Sequence, residues 1–301
     1  MPESVNLCPL CKNQTSQLLD RGEFAGKVVE NRICSHCGFV FQSPRMTAAE
    51  NRSFYESEYR QMYQGGAGPN TKDLAVQAQR ARSLLDFSAK YLANVTRMLD
   101  IGCSAGMLLQ AFHQTYHCQP VGVEPGIAYR EYARDSGLRV YPSLEEMQQA
   151  GEGKFDLICM AHVLEHIPDP IDYLETLRET YLASDGWLLL EVPNLYIHDS
   201  FEVAHLSSFS PHTFRQIAQR SGFKVLHLQK HGRPRSSILP YYLTMLCCSD
   251  PDGQNINVNP EHGVRFKRKS GLLFRKGVSR LFPRLAWRSF QEEEGQKGSG
   301  K

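Results

Sequence analysis

The sequence lacks any long hydrophobic run. None of its apolar stretches approaches the ~18–20 residues that a membrane-spanning helix needs. Its first residues, Met1-Pro2-Glu3-Ser4, also lack the basic and apolar regions of a secretory signal. With 41% hydrophobic and 22% charged residues, the composition predicts a soluble globular protein, which we expect in the cytoplasm.

The sequence also lacks acidic residues in one C-terminal segment. Its cysteines cannot all be paired in disulfides. Residues 262–288 contain nine Lys/Arg and no Asp or Glu, whereas the rest of the chain has 25 basic and 32 acidic residues. The nine cysteines are an odd number, and cysteines of an unexported chain are usually thiols or metal ligands. The net charge of +2 therefore conceals a basic segment on an otherwise acidic protein.

Four regions follow from the order of apolar and polar stretches. Residues 1–45 carry two cysteine pairs, and 46–95 form a polar, aromatic region that we expect to be a helical linker or lid. Residues 96–232 alternate short apolar runs with helical patterns, which is typical of βαβ units and a parallel sheet. Residues 233–301 hold a predicted C-terminal strand, the basic segment and a tail with the composition of a disordered segment. Within the third region, strands are predicted at 98–101, 120–124, 139–141, 155–160, 186–192 and 223–228.

The first region contains two CxxC pairs, Cys8 with Cys11 and Cys34 with Cys37. Two such turns bring four thiolates to the corners of a tetrahedron, as a structural zinc requires, and leave no open position for zinc chemistry. A redox pair or chance is the alternative, and His36 could replace one cysteine. A zinc ribbon of this kind can bind nucleic acid, or it can be a small lobe that folds only with its metal.

A second motif lies between the first predicted strand of the sheet and the helix after it. The segment runs from Asp100 through Gly102 and Cys103 to Gly106, and small residues there let the backbone approach a ligand closely. It lacks the middle glycine of the dinucleotide pattern GxGxxG. The carboxylate of Asp100 would repel a pyrophosphate, but it suits a cationic amino or sulfonium group. Glu124, at the end of the next strand, can accept hydrogen bonds from ribose hydroxyls.

This loop resembles the first motif of the class I S-adenosylmethionine-dependent methyltransferases. Positions 100, 102 and 106 match that motif, and Glu124 matches the acidic ribose ligand. Segments 155–170 and 191–194 resemble the motifs of the fourth and fifth strands. The resemblance implies an α/β protein with a Rossmann-like seven-stranded methyltransferase sheet preceded by a small zinc ribbon. It also implies S-adenosylmethionine as the cofactor and methyl transfer as the activity.

The same resemblance suggests further contacts around the cofactor. Leu144 is expected beside the adenine. His162 follows the fourth strand, where methyl group and acceptor would meet. Tyr59 belongs to an aromatic stripe with Tyr55 and Tyr63 at helical spacing. The stripe either closes over the cofactor or packs a linker helix on the core.

The order of zinc ribbon and methyltransferase unit resembles bacterial methyltransferases of deoxysugars and related metabolites. Segment 201–210 is similar to the part of the sugar C-methyltransferases that carries a catalytic histidine, and His205 is the matching position. The tyrosine and second histidine of those enzymes are replaced at 201–204, and a counterpart of their long C-terminal domain is not expected. O-methyltransferases share the pattern His-x-x-x-Phe-Ser. The predicted acceptor is therefore a sugar, glycan or small metabolite, methylated on oxygen or carbon.

The predicted chemistry is direct displacement, in which the protein aligns acceptor, methyl group and sulfur. A hydroxyl, or a carbon next to a carbonyl, must first lose a proton, and a histidine with a pKa near 6.5 suits that task. His205 is the first choice as base and His162 the second. A loop histidine that only caps or packs is the alternative for His205, and His166 is expected to stabilise the entry of a helix.

Three other functions are less well supported by the sequence. A nicotinamide oxidoreductase is disfavoured by Asp100 and the missing glycine. A zinc-ribbon RNA methyltransferase would need the Asn-Pro-Pro-Tyr/Phe motif of base methylation, and residues 192–195 differ from it. Because charges in the ribbon nearly balance, it has no phosphate-binding surface, and nucleic acid is not expected as a partner. A degenerate protein that binds without catalysis is the third possibility.

The basic segment also has helical periodicity. Phe274, Val278, Leu281, Phe282 and Leu285 recur at helical spacing, with basic residues between them. Such a helix can lie in a membrane interface near anionic lipid. We therefore expect residues 262–288 either to attach peripherally to an anionic membrane surface or to pack on the acidic remainder of the protein.

Overall fold

A computed structural model describes residues 2–24, 26–54, 68–250 and 257–289. Its strands are β1 (Ser16–Phe24), β2 (Lys27–Cys34), β3 (Val40–Gln42), β4 (Arg97–Ile101), β5 (Gln119–Val123), β6 (Arg139–Tyr141), β7 (Phe155–Ala161), β8 (Leu182–Pro193), β9 (Ser207–Ser208), β10 (Phe223–His231) and β11 (Tyr242–Ser249). The helices described are α1 (Ala48–Ser53), α2 (Thr71–Ser88), α3 (Met107–Tyr116), α4 (Ile127–Asp135), α5 (Leu144–Gln149), α6 (Pro170–Thr176), α7 (Pro211–Arg220), α8 (Val264–Leu281) and α9 (Pro283–Ala286).

The central sheet has seven strands in the order β10-β11-β8-β7-β4-β5-β6. Neighbours from β8 to β6 run parallel, whereas β11 runs antiparallel to both β8 and β10. The chain starts at β4, moves outward through β5 and β6, and returns to place β7 on the other side of β4. Such a reversal opens a crevice at the carboxyl ends of the strands, where α/β proteins bind ligands. The predicted seven-stranded α/β fold is confirmed.

Alternation along the strands separates two hydrophobic layers. In β4, Leu99 and Ile101 join the layer that contains α6 and α7, whereas Met98 joins the layer of α2 and α3. Successive side chains of a strand point to opposite faces, so one strand serves both layers. Helix α3 contributes Phe112 and α2 contributes Leu84 to the second layer. The carboxyl ends of β4 and β7 are thereby held between two packed faces.

The cysteine lobe, residues 2–45, is joined to the central unit by a shared sheet. Its strands β1, β2 and β3 are extended by β9, which belongs to the loop after β8. Ser207 and Ser208 pair with Phe41 and Val40. The ring of Phe39 lies 5.7 Å from that of Phe209, and both belong to the same core cluster as Leu99. The lobe and the loop that carries His205 therefore form one packed structure.

Helix α8 lies on the segment after β8 through a stripe of inward residues. Arg268 is buried and donates to the carbonyls of Leu195 and His198. Glycine at 271 is required because a Cβ there would collide with the carbonyl oxygen of Tyr196. Val278 packs against the cluster of Ile197, Tyr241 and Ala286 and does not belong to an exposed stripe, in contrast to the sequence pattern. Within the described ranges, no helix has the length and apolarity needed to cross a bilayer.

Candidate active site and cysteine cluster

The four predicted cysteines come together at one end of the cysteine lobe. Sγ of Cys8 is 3.6 Å from Sγ of Cys37, and Sγ of Cys11 is 3.5 Å from Sγ of Cys34. All four sulfur atoms lie within 4.8 Å of one another. A disulfide would hold two sulfurs about 2.05 Å apart, whereas a tetrahedral zinc with arms of about 2.3 Å separates them by about 3.8 Å. The cluster has the dimensions of a metal site.

Both cysteine pairs are held in the same kind of turn. The N–H of Lys12 donates to the carbonyl of Cys8 at 2.8 Å, and the N–H of Gly38 donates to that of Cys34 at 3.0 Å. The N–H of Glu261, from the chain before α8, donates to the carbonyl of Cys37. The turns are thus fixed by backbone hydrogen bonds, and the C-terminal segment closes over the second of them.

A cavity of about 990 Å³ opens at the carboxyl ends of β4, β5 and β7. Six of the predicted cofactor or catalytic residues line it: Asp100, Gly102, Cys103, Glu124, Leu144 and His162. Gly106 and His205 do not belong to its lining, and Tyr59 lies outside the described residues. The crevice expected from the strand order is therefore a large cavity that collects most of the predicted site.

The loop after β4 is shaped by its first glycine. Gly102 has φ of +74°, and a Cβ there would lie 2.5 Å from Val163 Cγ2. Only a glycine meets both demands without strain. The N–H groups of Gly102 and Cys103 both donate to the carbonyl of Val123, the last residue of β5. These bonds hold the loop against β5 and beside Glu124.

Glu124 is buried, and the loop fixes the position of its carboxylate. It accepts from the N–H of Ser104 at 2.9 Å and from the N–H of Gly126 at 2.8 Å. Ser104 Oγ is buried in the lining and has no hydrogen-bond partner among the described residues. Burial raises the pKa of Asp100 well above its usual range, and the charge of Glu124 adds to this. At the end of β4, the hydroxyl of Ser104 therefore lacks a hydrogen-bond partner, and ionisation of the buried Asp100 carboxyl is unfavourable. A bound ligand can supply partners for both groups.

His162 directly follows β7 and stands between two buried carboxylates. Its Nδ1 is 3.3 Å from Glu165 Oε1, and its Nε2 is 3.2 Å from Glu191 Oε1. Neither carboxylate oxygen makes a hydrogen bond of good geometry among the described residues. Burial and the charge of Arg80 lower its pKa, but the two carboxylates outweigh them, so the pKa of His162 is raised above 6.5. The imidazolium form is stabilised at the wall of the cavity.

Several polar residues around Glu191 were not predicted from the sequence. Arg80 of α2 lies 3.0 Å from Glu191 Oε1, and His231 of β10 lies 3.2 Å from Glu191 Oε2. Thr244 of β11 donates to Oε2 at 3.0 Å. Burial raises the pKa of Glu191, but the nearby imidazoles of His162 and His231 and the charge of Arg80 outweigh it, so the pKa is lowered. A helical pattern alone does not reveal that Arg80 reaches the cavity.

His205 lies one layer behind the cavity wall. Its ring is 5.0 Å from the ring of His166, which does line the cavity, and 5.9 Å from that of His198. Its Nε2 is 3.6 Å from Glu202 Oε2. Burial lowers the pKa of His205 well below its usual range, and the neighbouring His166 adds to this. Ligand atoms of Glu165, His166 and His205 lie within 4.8 Å of one another, which is a donor set that could hold a metal ion.

A parallel sheet with an antiparallel seventh strand, and acidic side chains at two adjacent strand ends, defines an α/β protein of the methyltransferase type. The profile of a family described as "Methyltransferase domain" matches residues 74–228, about half of the chain. The chain belongs to this methyltransferase-domain family, which confirms the class that the sequence motifs resemble.

Similar proteins agree with this family. The chain is 31% identical to a protein of Cereibacter sphaeroides named ubiquinone biosynthesis O-methyltransferase, over 127 residues that make up 40% of this chain and 48% of that protein. A protein of the same name from a Ruegeria strain is 34% identical over 97 residues, 30% of this chain and 38% of that protein. The chain thus spans less than half the length of these curated relatives.

One solved structure supports the fold. It is the 1,6-didemethyltoxoflavin-N1-methyltransferase of Burkholderia thailandensis, with bound 1,6-didemethyltoxoflavin and S-adenosylhomocysteine. The superposition has a TM-score of 0.55 at 17% identity and covers 77% of this chain and 99% of that one. At this identity the likeness concerns the fold, which matches the predicted Rossmann-like methyltransferase fold.

Proposed function

We propose that the protein transfers a methyl group from S-adenosylmethionine to a hydroxyl group of a small molecule by direct in-line displacement. The observation that carries the proposal is the convergence of Asp100, Glu124 and His162 on one cavity, from the ends of three parallel strands. Membership of the methyltransferase-domain family supports the same reaction. When bound, S-adenosylmethionine supplies a methyl group that is already activated by its sulfonium.

The residues at the ends of β4 and β5 suit this cofactor. Two backbone N–H groups orient the carboxylate of Glu124, and a fixed carboxylate is a good acceptor for ribose hydroxyls. The buried Asp100 favours a cationic ligand group, because a nearby positive charge stabilises its ionised form. Ser104 Oγ supplies a further hydrogen bond. Leu144 gives an apolar surface for the adenine.

The acceptor hydroxyl must lose its proton, and we assign this step to His162. It lines the cavity, whereas His205 stands behind His166. The ring that takes the proton is flanked by two carboxylates, with Glu165 3.3 Å from Nδ1 and Glu191 3.2 Å from Nε2. The histidine must be neutral to act as a base, and the carboxylate of Glu165 stabilises the imidazolium that forms. His205 remains a competing base, and pH dependence separates the two.

The names of the curated relatives favour oxygen over carbon as the methylated atom. Both are named as O-methyltransferases of ubiquinone biosynthesis, so a hydroxyl of a small metabolite is the first acceptor class to test. A sugar or glycan acceptor, inferred from the order of zinc ribbon and methyltransferase unit, stays a prediction and is the second class. The family match does not distinguish between them.

We further propose that the cysteine cluster binds one structural zinc ion. Four sulfur donors at these distances fill a tetrahedral shell. Since no position stays open, the metal holds the lobe together and takes no part in the reaction. The lobe packs on the methyltransferase unit through the core that Phe39 and Phe209 share, and α2 belongs to that unit.

The test is transfer of a labelled methyl group from S-adenosylmethionine to a panel of phenols, sugar nucleotides and free sugars. Mass spectrometry and NMR of the product distinguish a methyl ether from a methylated carbon. Glu124→Gln serves as the control that abolishes cofactor-dependent labelling. Tight cofactor binding without transfer to any acceptor would favour the degenerate binding protein, and absence of cofactor binding would contradict the whole proposal.

A further inference from the structure

The inward stripe of α8 fixes which side of the helix faces outward. Val264 and Arg268 are buried, Gly271 packs against the backbone of Tyr196, and Arg275 donates to the carbonyl of Ile197 at 2.9 Å. These positions recur every three or four residues, so they lie on one side of the helix. The residues half a turn away from them form the outer face of α8.

Large apolar side chains line this outer face. Phe266 is 75% exposed and Leu281 is 72% exposed, with Leu273 and Phe274 between them at 60% and 55%. The spacing of seven, eight and fifteen residues from Phe266 keeps the four on one side of an α-helix. The stripe continues past the helix with three more exposed side chains, Phe282, Leu285 and Trp287. A row of exposed large apolar side chains on a globular protein is typical of an interaction site.

A basic stripe runs beside the apolar one. Lys269, Lys276 and Arg280 are spaced by seven and four residues and are all exposed. None of them forms an ion pair with a carboxylate among residues 2–24, 26–54, 68–250 and 257–289. Two other cations of the segment do have acidic partners, since Lys267 pairs with Glu261 and Arg275 with Asp199. Within the described part of the chain, the outer face therefore presents positive charge without acidic partners next to exposed apolar groups.

The combination of exposed apolar and basic side chains indicates which kind of partner this face of α8 binds. A second copy of the chain, docked face to face, would bring the same cations against each other, because a two-fold interface pairs a surface with itself. Residues 262–288 supply no acidic side chain to relieve that repulsion. An anionic lipid surface accepts both stripes, with apolar side chains in the acyl boundary and cations at the headgroups.

We propose that the outer face of α8, with the residues up to Trp287, binds anionic lipid membranes from the side. The opposite side of α8 lies on the segment that follows the carboxyl end of β8, so the membrane face points away from the protein core. Attachment is interfacial, and no described helix is suited to crossing the bilayer. This inference does not depend on the proposed methyl transfer.

The test is co-sedimentation of the full chain with vesicles of phosphatidylcholine alone and of phosphatidylcholine mixed with phosphatidylglycerol. We expect binding to the anionic vesicles only, weakened by added salt. The triple variant Lys269→Gln, Lys276→Gln, Arg280→Gln should partition on the order of 100-fold more weakly, since each cation contributes about a fivefold factor near an anionic surface. A matched control is Lys90→Gln, Lys224→Gln, Lys230→Gln, which removes the same charge from exposed positions elsewhere.

Three results would overturn the proposal: equal binding to neutral and anionic vesicles, equal loss in the control variant, and no binding by the unchanged chain. A second triple variant, Leu273→Ser, Phe274→Ser, Leu281→Ser, checks the apolar stripe. If this serine variant loses a concentration-dependent oligomer that the unchanged chain forms, and still binds vesicles equally well, the outer face is an interface between copies of the chain. Calorimetric titration with S-adenosylmethionine monitors the fold, and it reports separately on the proposed function.

Discussion

The cysteine cluster and the cavity are both buried polar sites, but they are completed in opposite ways. In the cluster, four sulfurs face one another and the turns are closed by backbone hydrogen bonds. In the cavity, Ser104 Oγ has no partner in the described part of the chain, and the pKa of Asp100 is raised by burial. Donor atoms that all face one bound metal stabilise a fold. Buried polar groups without partners beside a large cavity can instead be satisfied by a bound ligand. We therefore expect substitutions in the first site to change stability and those in the second to change binding and pH dependence.

The largest expected effect is on the cluster. Cys34→Ser removes one thiolate of the proposed zinc site, and metal binding contributes about 10–16 kcal/mol to the folding of small zinc domains. We expect loss of bound zinc and a lobe that no longer unfolds cooperatively with the rest of the chain. Metal analysis and thermal unfolding measure both.

Cys248→Ser is the matched control, because this half-buried cysteine of β11 lies far along the chain from the cluster. It should leave the zinc content at one ion per chain. Soluble, folded, unchanged protein that contains no zinc would contradict the assignment of the cluster as a metal site.

The second effect concerns the joint between lobe and sheet. Phe209→Ala empties a fully buried position between Phe39 and Phe214, and removal of a buried phenylalanine costs about 3–5 kcal/mol. Denaturant unfolding should show this loss, while affinity for S-adenosylmethionine in the folded protein stays within about twofold. Substitution of Phe274, which is exposed on α8, with Ala should cost less than about 0.5 kcal/mol. Similar losses for both variants would show that Phe209 does not support a shared core.

Some features of the two sites are predictable from the sequence, and others are not. The cysteine pairs, the loop at Gly102 and the strand ends are local patterns, and the structure brings Asp100, Glu124 and His162 to one cavity. The contribution of β9 to the cysteine lobe is not local, since it depends on a loop pairing with a strand more than 150 residues earlier. The same holds for Thr244, which reaches Glu191 because β11 pairs antiparallel with β8 in one register.

Burial also decides roles that a sequence pattern leaves open. His162 and His205 are both loop histidines in the sequence, yet only His162 belongs to the lining of the cavity. On α8, Val278 fits the periodicity of an exposed apolar stripe but packs inward, and Phe266 belongs to the outer face instead. Helical spacing gives the stripes, but only the packing partner tells which stripe faces the protein.

The third effect tests the cavity as a binding site. Glu124→Gln removes a charged acceptor for ribose hydroxyls, and hydrogen bonds to charged groups are worth about 1.5–3 kcal/mol each. We expect affinity for S-adenosylmethionine to fall by at least about tenfold, measured by isothermal titration. Glu131→Gln, on the exposed side of α4, is the control and should bind normally. Unchanged affinity in the Glu124 variant would remove this residue from the cofactor site.

The smallest effect separates the two candidate bases through pH. The pKa of His162 is raised above 6.5 by its carboxylates, whereas burial lowers that of His205 well below 6.5. A base must be neutral, so turnover falls as pH drops through its pKa: above 6.5 for His162 and below 6.5 for His205. Glu165→Gln removes one carboxylate that stabilises the imidazolium of His162, and so shifts the acidic limb of kcat/KM to lower pH, by up to about one unit, or about 1.4 kcal/mol.

The control for this shift is Glu202→Gln, whose carboxylate lies 3.6 Å from His205 Nε2. Because the charge of Glu165 also raises the pKa of His205, the shift in the Glu165 variant does not by itself assign the base. If His162 is the base, the acidic limb of the unchanged protein lies above 6.5, the Glu202 variant leaves it in place, and His162→Ala lowers kcat more than His205→Ala does. The opposite order, with an acidic limb below 6.5, would assign the proton transfer to His205. The buried carboxylates beside His162 would then be structural like the cysteine cluster, with Glu191 joining the end of β8 to α2 through Arg80.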